Sequence, residues 1–199
     1  KPEHYISHLI GHEGEGSILN MLKNLGYAES LSAGLSGHSL HDPMCLFEIH
    51  IELTENGLVN YKDIICFIFE YVDILKKNGV KQYIYDEMKR LNQIKFDTLD
   101  KQRSAHHVSS LCNNMMFYEI QDIMFGDYRM EDYDESTCTF IQELIDKYFH
   151  PDNMMVYLIT KDANKFCKNF DQLKKQEKWM LSEYVDMDFN LKLSSKKSS

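Results

Sequence analysis

The sequence predicts an α+β fold, a mainly antiparallel sheet with helices packed on one face. Three observations carry that prediction. From Met44 to Leu53 the chain alternates, with Phe47, Ile49, Ile51 and Leu53 on one side and Leu46, Glu48, His50 and Glu52 on the other. A period of two with one wet face is the mark of a half-buried antiparallel strand. A second strand-like stretch, Glu29 to Leu35, precedes it, and Gly37 with the polar residues His38 to Pro43 makes a hairpin-like connection between them. Beyond the pair, apolar residues recur at helical spacing through several segments before a late strand read over Met154 to Ile159.

Pro2 to Ile10 reads as a short helix, with Pro2 in its first turn and Tyr5, Leu9 and Ile10 on its apolar side. Ser17 to Leu25 reads as a second helix, carried by Ile18, Leu19, Leu22 and Leu25 and stopped by Gly26. Thr54 suits an N-cap with Glu55 in the first turn. From Leu58 the stripe Tyr61, Ile65, Ile68, Val72 and Leu75, thickened by Ile64, Phe67 and Tyr71, predicts one long helix ending at Gly79. Lys81 to Asp97 follows, with Ile84, Met88, Leu91 and Ile94 inward. A shorter helix runs from Arg103 to Phe117, and the last, Ser136 to Tyr148, packs through Phe140, Ile141, Leu144 and Ile145. Met115-Met116-Phe117-Tyr118 reads as core, Cys66 as a buried apolar residue, His106 and His107 as surface or capping residues, and Glu131 to Glu135 as a solvated loop.

With 199 residues, 43% of them hydrophobic and 12% aromatic, the chain has enough material for one domain with its own core and is not disordered. The expected division is a single domain over 1–170, then a linker and solvated tail over 171–199. A net charge of −9 disfavours nucleic acid and anionic membrane as partners. No run approaches the length of a membrane span. Five cysteines, an odd number without a C-x-x-C pair, suit reduced thiols in a cytoplasmic setting.

Chemistry concentrates in His8-Leu-Ile-Gly-His-Glu-Gly-Glu-Gly-Ser17. Gly11, Gly14 and Gly16 mark a backbone turned sharply or held close to something. His8 and His12 are four apart with Glu13 next to the second. The order H-x-x-x-H-E matches neither H-E-x-x-H nor H-x-x-E-H, and the glycines disfavour a continuous helix through the pair. Local chemistry alone leaves a capped turn, a binding turn and a metal pair open.

The segment His8 to Leu19 resembles the H-L-I-G-H-E-G-P-G-S-L-L stretch of the insulinase family, zinc metallopeptidases with the inverted motif. Further markers follow in the family's order. Leu53-Thr-Glu-Asn-Gly-Leu58 with Asp63-Ile-Ile65 is similar to L-T-E-x-G-L…D-I-I. His150-Pro-Asp-Asn153 before Val156 is similar to R-P-E-N-V, and Trp179 to Tyr184 to W-Y-G-T-x-Y. The resemblance is to the second of the family's four domains, which does not hold the zinc. It implies the insulinase-type α/β roll. Relatives enter this domain through a strand that has no counterpart before Lys1, so the first strand is expected to be missing and a sheet edge to stand open, to a second copy included.

The resemblance also implies a role. The chain would be a non-catalytic domain of a zinc endopeptidase acting on short peptides, with no cofactor in this chain, zinc in the parent enzyme, and the parent's remaining domains as partners. It would complete a peptide-binding chamber and carry an exosite for substrate N-termini. His8, Gly11 and Glu13 fall on the anchor positions, and Leu31 and Ala33 on the strand that pairs with peptide. A peptide α-ammonium needs acceptors, which the Glu13 carboxylate and Gly11 carbonyl would supply, and a strand edge accepts a peptide as one more strand. Two positions depart from the family: Glu15 replaces a proline, and Ser32-Ala33-Gly34 stands where relatives have V-G-G. The competing expectation is a purely structural or interaction domain of an inactive member.

Overall fold

The structure, a computed structural model, describes residues 2–36 and 45–161, together with the backbone of two short strands, Lys175–Gln176 and Glu183–Tyr184. The chain divides after Phe149 into two compact units. The first holds helices α1 (Pro2–Ile10) and α2 (Ile18–Asn24), strands β1 (Ala28–Leu35) and β2 (Phe47–Leu53), and helices α3 (Glu55–Val59), α4 (Tyr61–Asn78), α5 (Gln82–Asp97), α6 (Ser104–Asn114) and α7 (Glu135–Tyr148). In the second, a 3-10 turn at Pro151–Asn153 precedes a stretch without regular secondary structure over 154–160, and the strands Lys175–Gln176 and Glu183–Tyr184 pair antiparallel.

β1 and β2 form an antiparallel ladder with Leu31 opposite Ile51, Ala33 opposite Ile49 and Leu35 opposite Phe47. As the alternation predicts, Phe47, Ile49, Ile51 and Leu53 all face the core. Helices α1 and α2 lie against β1, α7 packs on α1, and α4 packs on α2 and α7. Tyr5, Ile6 and Ile10 of α1 and Ile18, Leu19 and Leu22 of α2 are buried in the cluster they make with Leu31, Ile64, Val72, Tyr85, Ile141 and Ile145. Each such side chain contributes roughly 1.5–3 kcal/mol, which is what holds two helices of under ten residues in place.

The ends of these elements explain the family-like motifs. Ser17 Oγ accepts from Asn20 N–H at 3.1 Å and caps α2. At the other end Gly26, at φ 68°, closes a Schellman turn in which Gly26 N–H donates to Lys23 O and Tyr27 N–H to Leu22 O, each at 2.9 Å. Thr54 Oγ1 accepts from Gly57 N–H at 3.0 Å and donates to Gly26 O at 2.7 Å, joining the start of α3 to the end of α2. A Cβ on Gly57 would lie 1.8 Å from Tyr27 O, so only glycine fits there. The Leu53 to Leu58 motif is thus a cap plus a close backbone crossing.

Four expectations are corrected. The long helix from Leu58 is interrupted at Asn60 (φ −103°, ψ 24°), whose Nδ2 donates to Asn56 O at 2.8 Å, so α3 and α4 are separate. In α5, Leu91 and Ile94 are exposed while Tyr85 and Met88 are buried; the C-terminal half packs through Phe96 on Phe125, ring centroids 4.8 Å apart, instead. Met115, Met116 and Phe117 are exposed, because α6 stops at Asn114 and the polar Asn114 turns inward in their place. Met154 to Ile159 forms no strand, having no ladder partner among the described residues. The connection expected at 37–43, the boundary at 170, Cys167 and Trp179 to Ser182 lie outside the described residues.

Candidate functional site

The glycine-rich turn after α1 is brought against β1. Gly11 N–H donates to Ser7 O at 2.8 Å, closing the last turn of α1. A Cβ on Gly11 would stand 2.9 Å from Ser7 O, 3.5 Å from Ala33 N and 3.8 Å from Ala33 Cβ. A Cβ there would crowd the Ser7 carbonyl of α1's own last turn, whereas it would meet Ala33 of β1 at ordinary van der Waals distance, so the end of α1 lies directly on the strand backbone. Tyr71 of α4 fixes this end from the other side, its hydroxyl donating to Leu9 O at 3.1 Å. Burial raises the Tyr71 phenol above its ordinary value, so it remains a donor throughout the neutral range.

The phase of the ladder decides what the strand offers. Ser36 N–H donates to Leu46 O at 2.8 Å, one step beyond the Leu35–Phe47 pair, so the hydrogen-bonded positions of β1 are the even-numbered ones. The N–H and C=O of Leu31, Ala33 and Leu35 point away from β2. Among the described residues β1 pairs with β2 alone, which leaves this outer edge without a strand neighbour. Leu31 is only 3% exposed and belongs to the core, so the accessible part of the edge begins at Ala33.

The five residues singled out from sequence thus separate. Gly11 and Ala33 are in direct proximity, Glu13 is exposed in the adjoining turn, His8 is half-buried, and Leu31 acts as a core residue. The rings of His8 and His12 lie 5.9 Å apart, tilted by 48°. Burial, then the nearby His12, holds the His8 imidazole below its ordinary value, with Lys95 adding in the same direction and Glu87 opposing. His8 is therefore neutral at neutral pH. The turn itself is compact: the His12 ring folds over Gly14, where a Cβ would meet its Nε2 at 2.6 Å.

H-x-x-E-H does not occur in the sequence, and among the described residues no three His, Cys, Asp or Glu side chains come together to hold a metal. No helix among them is long and apolar enough to cross a membrane. A separate cavity of about 240 Å³ is lined by Ser110, Asn113, Asn114, Phe117, Tyr118 and Asp127. There Asn114 Nδ2 donates to Ile123 O at 2.9 Å and to Asp127 Oδ2 at 3.0 Å, and Tyr118 Oη donates to Asp127 Oδ1 at 3.1 Å. Sequence reasoning missed this network, since an Asn at the end of an amphipathic helix gives no sign of facing inward, and it read Tyr71 as bulk rather than as a donor.

Comparison with known proteins agrees with the fold. The profile of the peptidase M16 inactive domain matches residues 1–92, and that of the middle or third domain of peptidase M16 matches residues 96–198. A nardilysin-like protein of Arabidopsis thaliana is 31% identical over 195 residues, covering 97% of this chain and 18% of the relative. Human insulin-degrading enzyme is 32% identical over 160 residues, covering 80% of this chain and 15% of the enzyme. The crystal structure of pitrilysin superposes with a TM-score of 0.70 at 23% identity over 77% of this chain and 16% of its own, a likeness of fold. The chain spans less than a fifth of the length of these relatives. With two of its profiles matched in succession along nearly the whole sequence, the chain belongs to the peptidase M16, or insulinase, family and carries non-catalytic parts of that family's architecture.

Proposed function

We propose that the chain is part of a zinc metalloendopeptidase, in which it completes the peptide-binding chamber and anchors substrate N-termini at the turn beside β1. The observation that supports this reading most is the approach of Gly11 to the outward-facing amide of Ala33, with Glu13 exposed two residues further along the turn. An extended peptide laid along the edge from Ala33 gains main-chain hydrogen bonds that make little demand on sequence. Its α-ammonium, at the end of that strand, finds acceptors in the Glu13 carboxylate and the backbone carbonyls of the turn. Bond cleavage belongs to another domain of the parent, where zinc and its hydrolytic glutamate would reside.

The test is binding of short labelled peptides to the chain by fluorescence anisotropy, with free and acetylated α-amines. A free amine should bind about tenfold more tightly, equivalent to 1.4 kcal/mol, and Glu13→Gln should erase the difference. Equal affinities, or no binding by either peptide, would support the second reading, a structural or interaction domain. The depth of Leu31 favours that alternative, because it shortens the edge open to a peptide.

A further inference from the structure

Helix α6 is built with its apolar side outward. Val108, Leu111, Cys112 and Met115 recur at i, i+3, i+4 and i+7, the stripe by which a helix packs on a core. Yet Val108 is 56% exposed, Met115 64%, and Cys112 is exposed as well, with Leu111 between them half-buried. The buried residue of this helix is instead the polar Asn114, tied down to Ile123 and Asp127. The pattern continues through the following turns, with Met116 76% and Ile120 84% exposed. Among the described elements none packs broadly on α6. An eleven-residue helix without a side-chain N-cap bond is marginal by itself in water. A contiguous apolar surface on an ordered scaffold is the mark of a contact face.

We infer that the stripe Val108, Leu111, Cys112 and Met115, extended by Ile120, is the seat for an apolar surface of the peptidase's remaining polypeptide. Two facts support that occupant. The middle-domain profile begins at residue 96, just ahead of α6, and curated relatives are more than five times the length this chain covers in them. Relatives thus carry several times more polypeptide than these 199 residues, from which a cover for the face can come. The bonds from Asn114 and Tyr118 to Asp127 hold the segment in shape from beneath, so the face is formed before its partner arrives. This inference rests on the reading of the chain as part of a longer peptidase.

Cys112 supplies the probe. Its alkylation rate is read by mass spectrometry in the native 199-residue chain and in the native full-length gene product. In the chain it should react as an exposed thiol, and in the full-length protein about tenfold more slowly or less. Val108→Asp combined with Met115→Asp should restore fast labelling in the full-length protein and leave the circular dichroism of the 199-residue chain unchanged. Equal rates in the two proteins would overturn the inference. So would slow labelling already in the 199-residue chain that persists on dilution, which means cover from its own residues, or that is relieved by dilution, which means a second copy. A gene product no longer than this chain, read from its mass, would instead overturn the reading of a larger parent.

Discussion

The hydroxyl of Tyr71, at the middle of α4, donates to the carbonyl of Leu9, 62 residues earlier, at 3.1 Å. The acceptor is one of the last carbonyls of α1, which the helix cannot satisfy itself. The bond therefore ties the segment that carries Gly11 to α4. Tyr71→Phe keeps the ring and removes the bond, leaving the Leu9 carbonyl without this donor. The expected loss is about 1 kcal/mol in urea unfolding. Affinity for a free-amine peptide should fall as well, since the turn loses its support. An unchanged affinity alongside reduced stability would confine Tyr71 to a structural role.

Gly57 offers a sharper case. A Cβ there would sit 1.8 Å from Tyr27 O and 2.7 Å from Tyr27 C, backbone atoms that have no rotamer by which to escape. Gly57→Ala must push α3 away from the α2 C-terminus and strain the Thr54 bonds that join them. A cost of about 3 kcal/mol is expected, at the upper end for overpacking. The midpoint of denaturation should fall with little change in slope. A variant within a few tenths of a kcal/mol of the parent, as at an ordinary helical glycine, would refute the close crossing.

Much of this fold was legible because its strands and caps are local. The alternation over Phe47 to Leu53 puts four side chains on the core face with no other information, and Ser17, Gly26 and Thr54 announce the helix ends they make. What could not be read depends on partners distant in sequence. Nothing in α5 distinguishes Met88, which meets the core, from Leu91, which does not, since both lie on one helical stripe. Asn60 interrupts a helix that the apolar spacing spans without a gap, and its own side-chain bonds to Asn56 are the cause. At the candidate site, the resemblance supplied Gly11 and Ala33. That they meet, and that Leu31 is sealed, follows only from how α1 lies on β1.

His8 makes stability depend on pH in a definite direction. Its folded-state value lies below the ordinary 6.5, through burial first and then His12, so the folded protein takes up this proton later than the unfolded chain does. Above about pH 6.5 both states are neutral at this position and it contributes nothing. As pH falls through that value the unfolded state binds the proton first and stability declines, until the folded-state value is passed. His8→Gln should flatten the acid side of the stability profile below about pH 6.5 relative to the parent, read from urea midpoints. A parallel profile would mean that the imidazole is not desolvated in the folded state.

The ladder phase predicts that adjacent residues of β1 respond oppositely to proline. Ala33 N–H points away from β2, so Ala33→Pro removes a donor that no strand of the described structure uses, the one position in a pair where a sheet tolerates proline. Ser32 N–H points at His50, so Ser32→Pro deletes a ladder bond and orphans a carbonyl, costing on the order of 1–3 kcal/mol more than its neighbour. If peptides add to the outer edge, Ala33→Pro should lose peptide binding while keeping most of its thermal stability. Ser32→Pro should lose stability first. Measuring both variants separates the two meanings of a failed binding assay: a misfolded sheet lowers the melting temperature, whereas a blocked edge does not. Binding that survives Ala33→Pro in a folded protein would place the peptide elsewhere.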